Sequence, residues 1–285
     1  MRVLSAEAEA SAPATESATA ESEARVELSV IVPAYREGPR IRSNLGRLLR
    51  ELDQLKTTYE VIVVSDGNTD STVREAQTLR SPSIRVFHYP MNVGKGFALS
   101  LGVAQSVGRR VTFIDADMEL DPRTISTFIG VMDQHGCDAV IGSKRHPESR
   151  VSYPKFRRLQ SAIYQWLVHL LFDLNIRDTQ TGLKLFRREV LEDAVPLLAI
   201  KRFAFDLELL VVAQLLGYKR IEEAPISLDY QFESTVNLAA AFRVMWDTAA
   251  IFYRLRLLRY YQRRRDELRT TEPHTAQATE AKPGV

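Results

Sequence analysis

Within its first half the chain repeats one unit four times: a short apolar, β-prone run, a polar loop at its end, and then a helical stretch. The runs are Leu28-Ser29-Val30-Ile31-Val32-Pro33, Tyr59-Glu60-Val61-Ile62-Val63-Val64, Ile84-Arg85-Val86-Phe87 and Val111-Thr112-Phe113-Ile114. Between the first two, Ile41, Leu45, Leu48, Leu49, Leu52 and Leu55 recur at helical spacing. Strand and helix in alternation leave few architectures open, and the expected one is α/β, a mostly parallel sheet with helices on both faces. Parallel strands bring the loops at their ends to one edge of the sheet, where open α/β folds bind ligands.

Three of those loops are polar: Tyr35-Arg36-Glu37, the run from Asp66 to Asp70, and Asp115-Ala116-Asp117-Met118-Glu119. Asp115 and Asp117, one residue apart, can turn toward a common point, and Glu119 can reach it. Hard oxygen ligands suit Mg²⁺ or Mn²⁺, with a diphosphate completing the shell. Taken alone, Asp115 and Asp117 read as surface loop residues, one of which caps the helix after Pro122. Lys95 lies between Gly94 and Gly96, where the backbone can approach a ligand and the ammonium offers a point charge to phosphate. It is not a P-loop, which needs Lys-Ser/Thr after a longer glycine-bounded loop. The loops together point to an anionic ligand with a metal.

Charge and cysteine content narrow the class. The chain has 285 residues, 45% of them hydrophobic, with a formal net charge of +2, so bulk charge does not make it a nucleic-acid binder. The single cysteine, Cys137, excludes an intramolecular disulfide and is compatible with a reducing compartment. Residues 1–25 are rich in Ala, Ser, Thr and Glu, with neither an apolar core nor a basic start, and read as a disordered tail rather than a leader or an anchor. The expected organisation is that tail, a domain over 26–237, a basic amphipathic helix over 238–268, and a second disordered tail over 269–285.

In order and spacing, Val32-Pro33-Ala34-Tyr35-Arg36-Glu37, Ser65-Asp66-Gly67-Asn68-Thr69-Asp70, Asn92-Val93-Gly94-Lys95-Gly96 and Asp115-Ala116-Asp117 resemble the nucleotide-sugar half of inverting family-two glycosyltransferases with the GT-A fold. The resemblance implies that Pro33, Tyr35, Glu37 and Asp66 line the nucleoside pocket and that Lys95 approaches the nucleotide. It also implies that Asp117 reaches the metal while Asp115 lies against ribose and metal. Arg36 and Asn68 stand where Asn and Ser are usual.

The second half begins with the strand Ala139-Val140-Ile141 and a basic stretch holding Lys144, Arg145, Lys155, Arg157 and Arg158. Leu159, Ala162, Ile163, Trp166, Leu167, Leu170, Leu171 and Leu174 then step by three and four, with a second apolar row at Tyr164, Val168 and Phe172. Such a helix buries two faces, in protein or partly in lipid, and it is too short and polar to span a bilayer. Asp178-Thr179-Gln180-Thr181-Gly182-Leu183-Lys184, Phe203-Ala204-Phe205-Asp206-Leu207-Glu208 and Ser234-Thr235-Val236-Asn237 extend the resemblance to the polyprenyl-phosphate hexosyltransferases, whose members include dolichyl-phosphate glucose and mannose synthases. The wording is closer to the glucose synthases. UDP-glucose or GDP-mannose is the implied donor, and Arg145, Arg157 and Ser161 are implied at the acceptor phosphate.

Chemistry supplies a parallel argument. A hydroxyl acceptor needs a general base, whereas a phosphate monoester is mostly dianionic at pH 7 and needs cations such as Arg145, Arg157 and Arg158. Asp206 and Glu208 are the candidate bases, or grips for sugar hydroxyls, or a helix N-terminal pair. The last long pattern runs from Leu238 to Arg265 and reads as one helix whose end mixes Arg254, Arg256, Arg259, Arg263, Arg264 and Arg265 with Tyr253, Tyr260 and Tyr261. That mixture suits an anionic membrane surface. The expected activity is inverting, metal-dependent hexose transfer from a nucleotide sugar to a polyprenyl phosphate at the cytoplasmic face of a membrane. The alternatives are a soluble hydroxyl acceptor, with Asp206 or Glu208 as base, and an inactive membrane-bound scaffold.

Overall fold

The computed structural model describes residues 26–149, 151, 155–202, 204–228 and 238–271, and for 155–162, 238–242, 269 and 271 the backbone alone. The expected tail over 1–25, the end from 272 onward and the stretch 234–237 lie outside the described residues.

The first half follows the expected alternation. β1 (Leu28–Ala34), α1 (Gly38–Asp53), β2 (Tyr59–Asp66), α2 (Thr72–Gln77), β3 (Ile84–Tyr89), α3 (Lys95–Gln105), β4 (Arg110–Phe113) and α4 (Thr124–His135) succeed one another. Next come β5 (Ala139–Ser143), α5 (Lys155–Phe172), β6 (Lys184–Arg187), α6 (Arg188–Ala194), α7 (Phe205–Leu216), β7 (Ile221–Pro225), α8 (Leu238–Arg256) and α9 (Tyr260–Thr271). The seven strands form one sheet in the order β3-β2-β1-β4-β6-β5-β7. Every pairing is parallel except the two made by β6, which runs against β4 and β5.

Alternate residues of β1 face opposite layers. Val30 and Val32 join α1 and α4 in one core, with Ile41, Leu45, Leu48 and Phe128 fully buried. Ile31 joins the other, with Leu99 of α3, Val168 of α5 and Leu209 of α7. The period of two in the strand and the three-and-four stepping in α1 thus meet on one surface. Complete burial of a Leu or Val side chain contributes about 1.5–3 kcal/mol, so the sheet edge that carries the loops rests on a rigid base.

One helical expectation changes, and the other is only partly met by protein. α5 buries one face, with Val168 and Phe172 in the core, while Ile163, Trp166 and Leu170 on the other are 60–65% exposed. The C-terminal pattern is two helices rather than one, and the second runs to Thr271, past the expected start of the tail. Leu257 N–H and Leu258 N–H both donate to the Tyr253 carbonyl, and Arg259 adopts a left-handed φ of 47°. That turn swings Tyr261 inward until it is fully buried beside Ile251. Residues 238–268 are therefore continuous with the main core.

Candidate active site

β1, β2 and β4 end at the same edge. Ala34 is in register with Ser65, Ile31 with Phe113, and the Ile114 N–H continues the ladder to the Ile31 carbonyl at 3.1 Å. The chain leaves β4 straight into Asp115. A tight turn follows, in which the Met118 N–H donates to the Asp115 carbonyl at 3.1 Å and Met118 takes a left-handed φ of 51°. Asn44 of α1 donates to the Ala116 carbonyl at 2.8 Å, and the Glu119 N–H donates to Asp117 Oδ1 at 3.1 Å. Capping of the turn before α4 falls to Asp121, whose Oδ1 accepts from the Arg123 N–H at 3.1 Å. Asp115 is half-buried and Asp117 exposed at this edge.

Lys95 enters from the start of α3, its Nζ 2.5 Å from Asp115 Oδ1. Burial would depress this ammonium, yet Asp115 and Asp206 around it hold its pKa above the ordinary value. Glycine is required beside it. Gly94 has φ 128°, and a Cβ there would collide with the Lys201 carbonyl. Opposite, a Cβ on Gly182 would collide with the Asp115 carboxylate.

The carboxylates are crowded. Burial and then Asp115 raise the pKa of Asp117, burial and then Asp117 raise that of Glu119, and burial and then Asp117 raise that of Glu37. A divalent cation between these carboxylates would offset their mutual repulsion. No three His, Cys, Asp or Glu side chains among the described residues form a complete metal cage. The donor set fits a cation held by Asp115 and Asp117 that takes its other ligands from phosphate oxygens and water, the usual habit of Mg²⁺ at phosphate sites.

Of the nucleoside-side residues, Pro33 is buried in β1, Glu37 is half-buried, and Tyr35 is 41% exposed with the Arg36 guanidinium 5.2 Å above its ring. Asp66 is bonded to the loop after β3. Its Oδ1 accepts from Tyr89 Oη at 2.9 Å, the Val93 N–H at 2.7 Å and the Gly94 N–H at 3.1 Å, and its Oδ2 from Asn92 Nδ2 at 3.0 Å. These bonds shape the loop that delivers Lys95.

The two proposed bases also separate. Asp206, in the first turn of α7, pairs with the wholly buried Lys184 ammonium at 2.7 Å. Glu208 is fully buried and turned away into the core, where Oε2 accepts from the Ala199 and Ile200 N–H groups at 3.1 and 2.7 Å and Oε1 from Tyr261 Oη at 2.7 Å. Both of its oxygens are thus engaged from within the protein. On the acceptor side, Asp178 Oδ2 accepts from the Lys144 N–H at 3.2 Å, which holds the loop carrying Arg145. Lys144 lies close enough to act on Glu119 electrostatically. The side chains of Arg157, Arg158 and Ser161 lie outside the described residues.

Residues 29–195 match glycosyl transferase family 2. The chain belongs to that family. Among its relatives, dolichyl-phosphate beta-glucosyltransferase of Drosophila melanogaster is 36% identical over 205 residues, covering 66% of this chain and 63% of that protein. The Homo sapiens protein of the same name is 35% identical over 204 residues, with coverages of 66% and 63%. The chain thus spans less than two thirds of these relatives. Glucosyl-3-phosphoglycerate synthase from Mycobacterium tuberculosis, in its complex with Mn²⁺, UDP and phosphoglyceric acid, shares the fold at a TM-score of 0.60 and 21% identity, over 81% of this chain and 78% of that one. Its complex with phosphoglyceric acid alone gives 0.61 at 21% identity, over 81% and 79%. The sheet and its flanking helices are therefore of GT-A type.

Within this family 2 framework, Asn44 escaped sequence reasoning, and Gly182 and Lys184 stood in a quoted motif without a role of their own. Lys184 left a trace, since a lysine inside Leu183-Lys184-Leu185-Phe186 interrupts an apolar run and calls for a buried partner. Asn44 left none, because its acceptor is 72 residues away.

Proposed function

We propose that this family 2 glycosyltransferase moves a hexose, glucose by preference, from a nucleoside diphosphate sugar to a polyprenyl phosphate with inversion at the anomeric carbon. The names of its relatives support the sugar and the acceptor. One observation carries the acceptor choice: neither candidate base is free to act as one. Asp206 is clamped by Lys184 at 2.7 Å, and Glu208 is sealed beneath Tyr261. A lipid phosphate attacks through an oxygen that is already anionic, so no base is missed.

Pro33, Tyr35 and Glu37 bound the nucleoside side, while Asp66 sets the loop behind Lys95. Asp115 and Asp117 hold Mg²⁺ or Mn²⁺, which supplies charge neutralisation for the departing diphosphate. Lys95 adds a positive charge at the same edge. Arg145, with Arg157, Arg158 and Ser161 from the segment at α5, holds the acceptor phosphate, which approaches the face opposite the leaving group. An α-linked donor then yields a β-linked polyprenyl-phosphate sugar.

Attachment to the cytoplasmic face of a membrane belongs to the same reading. α5 and α8 lie side by side, joined by the hydroxyls of Tyr164 and Thr248 at 3.1 Å. Both expose tryptophan, Trp166 at 65% and Trp246 at 77%, with Ile163, Leu170 and Tyr253 nearby on the two helices and exposed Arg256, Arg259, Arg263 and Arg264 following. Apolar faces with interfacial aromatics and flanking cations suit an anionic headgroup layer. No described helix is long and apolar enough to cross a membrane.

The test gives purified protein Mg²⁺ or Mn²⁺, a polyprenyl phosphate in detergent, and UDP-glucose or GDP-mannose in parallel. A lipid-soluble product from UDP-glucose is expected, abolished by chelation and reduced by roughly 100-fold or more in Asp117→Ala. Product from GDP-mannose alone would replace the sugar. Transfer only to a water-soluble alcohol would replace the acceptor, and donor binding without any product would leave the scaffold.

A further inference from the structure

Glu208 has no place in the chemistry above, yet a fully buried carboxylate is costly and must have a use for its bonds. Its Oε2 collects the N–H groups of Ala199 and Ile200, at 3.1 and 2.7 Å, and these begin the loop leading to Lys201 and Arg202. That loop is the wall against which the Lys95 turn is moulded. The Phe97 N–H donates to the Lys201 carbonyl at 3.2 Å, and the Lys201 ammonium sits 5.6 Å above the Phe97 ring. A Cβ on Gly94 would come within 2.8 Å of Arg202 Cγ, and one on Gly96 within 2.7 Å of Phe205 Cβ. The Phe97–Lys201 hydrogen bond and ring contact join loop and turn, and neither glycine leaves room for a side chain between them, so a displacement of the loop reaches the residue between the glycines.

On its other oxygen, Glu208 is held from the C-terminal helices. Tyr261 Oη donates to Oε1 at 2.7 Å, and Arg254 Nη1 stands 3.8 Å away, a charge but not a hydrogen bond. Tyr261 is the largest fully buried side chain described, and it reaches this position only through the left-handed turn at Arg259.

We propose that Tyr261 is a positioning residue for the nucleotide-sugar site, acting through Glu208 and the 199–202 loop on the Gly94–Gly96 turn that presents Lys95 to Asp115. The inference rests on the reading of that turn as the donor edge. It makes the helix pair α8–α9, the segment assigned to the membrane surface, part of the support of the donor site. Without the phenolic hydroxyl, Oε1 of a buried carboxylate keeps no hydrogen-bond donor among the described residues. The carboxylate then shifts toward water or Arg254, and its grip on the Ala199 and Ile200 N–H groups loosens.

The experiment compares the full chain with Tyr261→Phe, which removes one oxygen from a packed ring, and with Leu268→Ala. Leu268 packs α9 against the same core and its side chain has no polar atom to bond Glu208, so its loss weakens the helix and removes none of these hydrogen bonds. Amide hydrogen exchange is followed over 92–97 and 199–202, and UDP binding is titrated with Mn²⁺. Tyr261→Phe is expected to speed exchange in both segments, leave β2 unchanged, and weaken UDP by roughly 2- to 30-fold. Leu268→Ala is expected to lower the melting temperature while leaving both segments protected. Faster exchange confined to α8 and α9 in Tyr261→Phe, or an equal effect from Leu268→Ala, would overturn the proposal. Should wild-type protein bind neither UDP nor, in a parallel titration, GDP, the donor-site reading fails, and the exchange arm still decides whether Tyr261 controls the turn.

Discussion

Asp115 owes its position to neighbours that carry no chemistry of their own. Gly182 leaves space for its carboxylate, and Asn44 pins the next carbonyl. Gly182→Ala is expected to push the carboxylate aside, cutting turnover by roughly 10- to 100-fold, the range found when the support of a metal ligand is lost. Circular dichroism should show the fold intact, and a variant of normal activity would mean that Asp115 has room to spare. A second residue-scale case concerns stability. Burial alone would raise the pKa of Glu60, but Ser29 Oγ at 2.6 Å, the Val107 N–H at 2.7 Å and Arg85 hold it below the ordinary 4.5. The folded state therefore binds protons there less readily than the unfolded chain. Its contribution is present above the unfolded pKa and is lost as pH falls through the depressed folded value. In urea titrations between about pH 3 and 6, Glu60→Gln should lower stability at the upper end and flatten the acid limb. A limb as steep as in wild type would assign the acid sensitivity to other carboxylates.

At the scale of elements, α5 and α8 read correctly as amphipathic, but periodicity does not say what covers each face. Val168 and Phe172 found the core, whereas Trp166 and Trp246 stay exposed. Replacing both tryptophans with alanine is expected to weaken binding to vesicles containing anionic lipid by roughly 10-fold or more, with the helical signal preserved. Retained vesicle binding would shift the membrane contact away from these faces. The break between α8 and α9 was not legible at all. Leu257-Leu258-Arg259 contains neither glycine nor proline, and a local pattern has no means to register that Tyr261 finds a fully buried partner in Glu208, 53 residues earlier in the chain.

For the molecule as a whole, local pattern determined what depends on near neighbours in sequence. Strand runs of period two, a leucine stripe of helical period and polar loops at strand ends are enough to specify a parallel α/β sheet with a ligand edge, and they located Asp115, Asp117 and Lys95 upon it. The reversal of β6 and the packing of the C-terminal helices into the main core needed the tertiary structure, because both depend on which surfaces remain open once the first strands have paired. The roles of the remaining carboxylates were decided in the same way. Asp66, Asp206 and Glu208 look alike in sequence as acids beside a cleft motif. Their use is set by the donors that folding brings against them, the 92–94 loop for the first, Lys184 for the second, Tyr261 and a pair of backbone amides for the third. A carboxylate's chemistry depends on burial and on the hydrogen bonds that remain unfilled, and those come from residues distant in sequence.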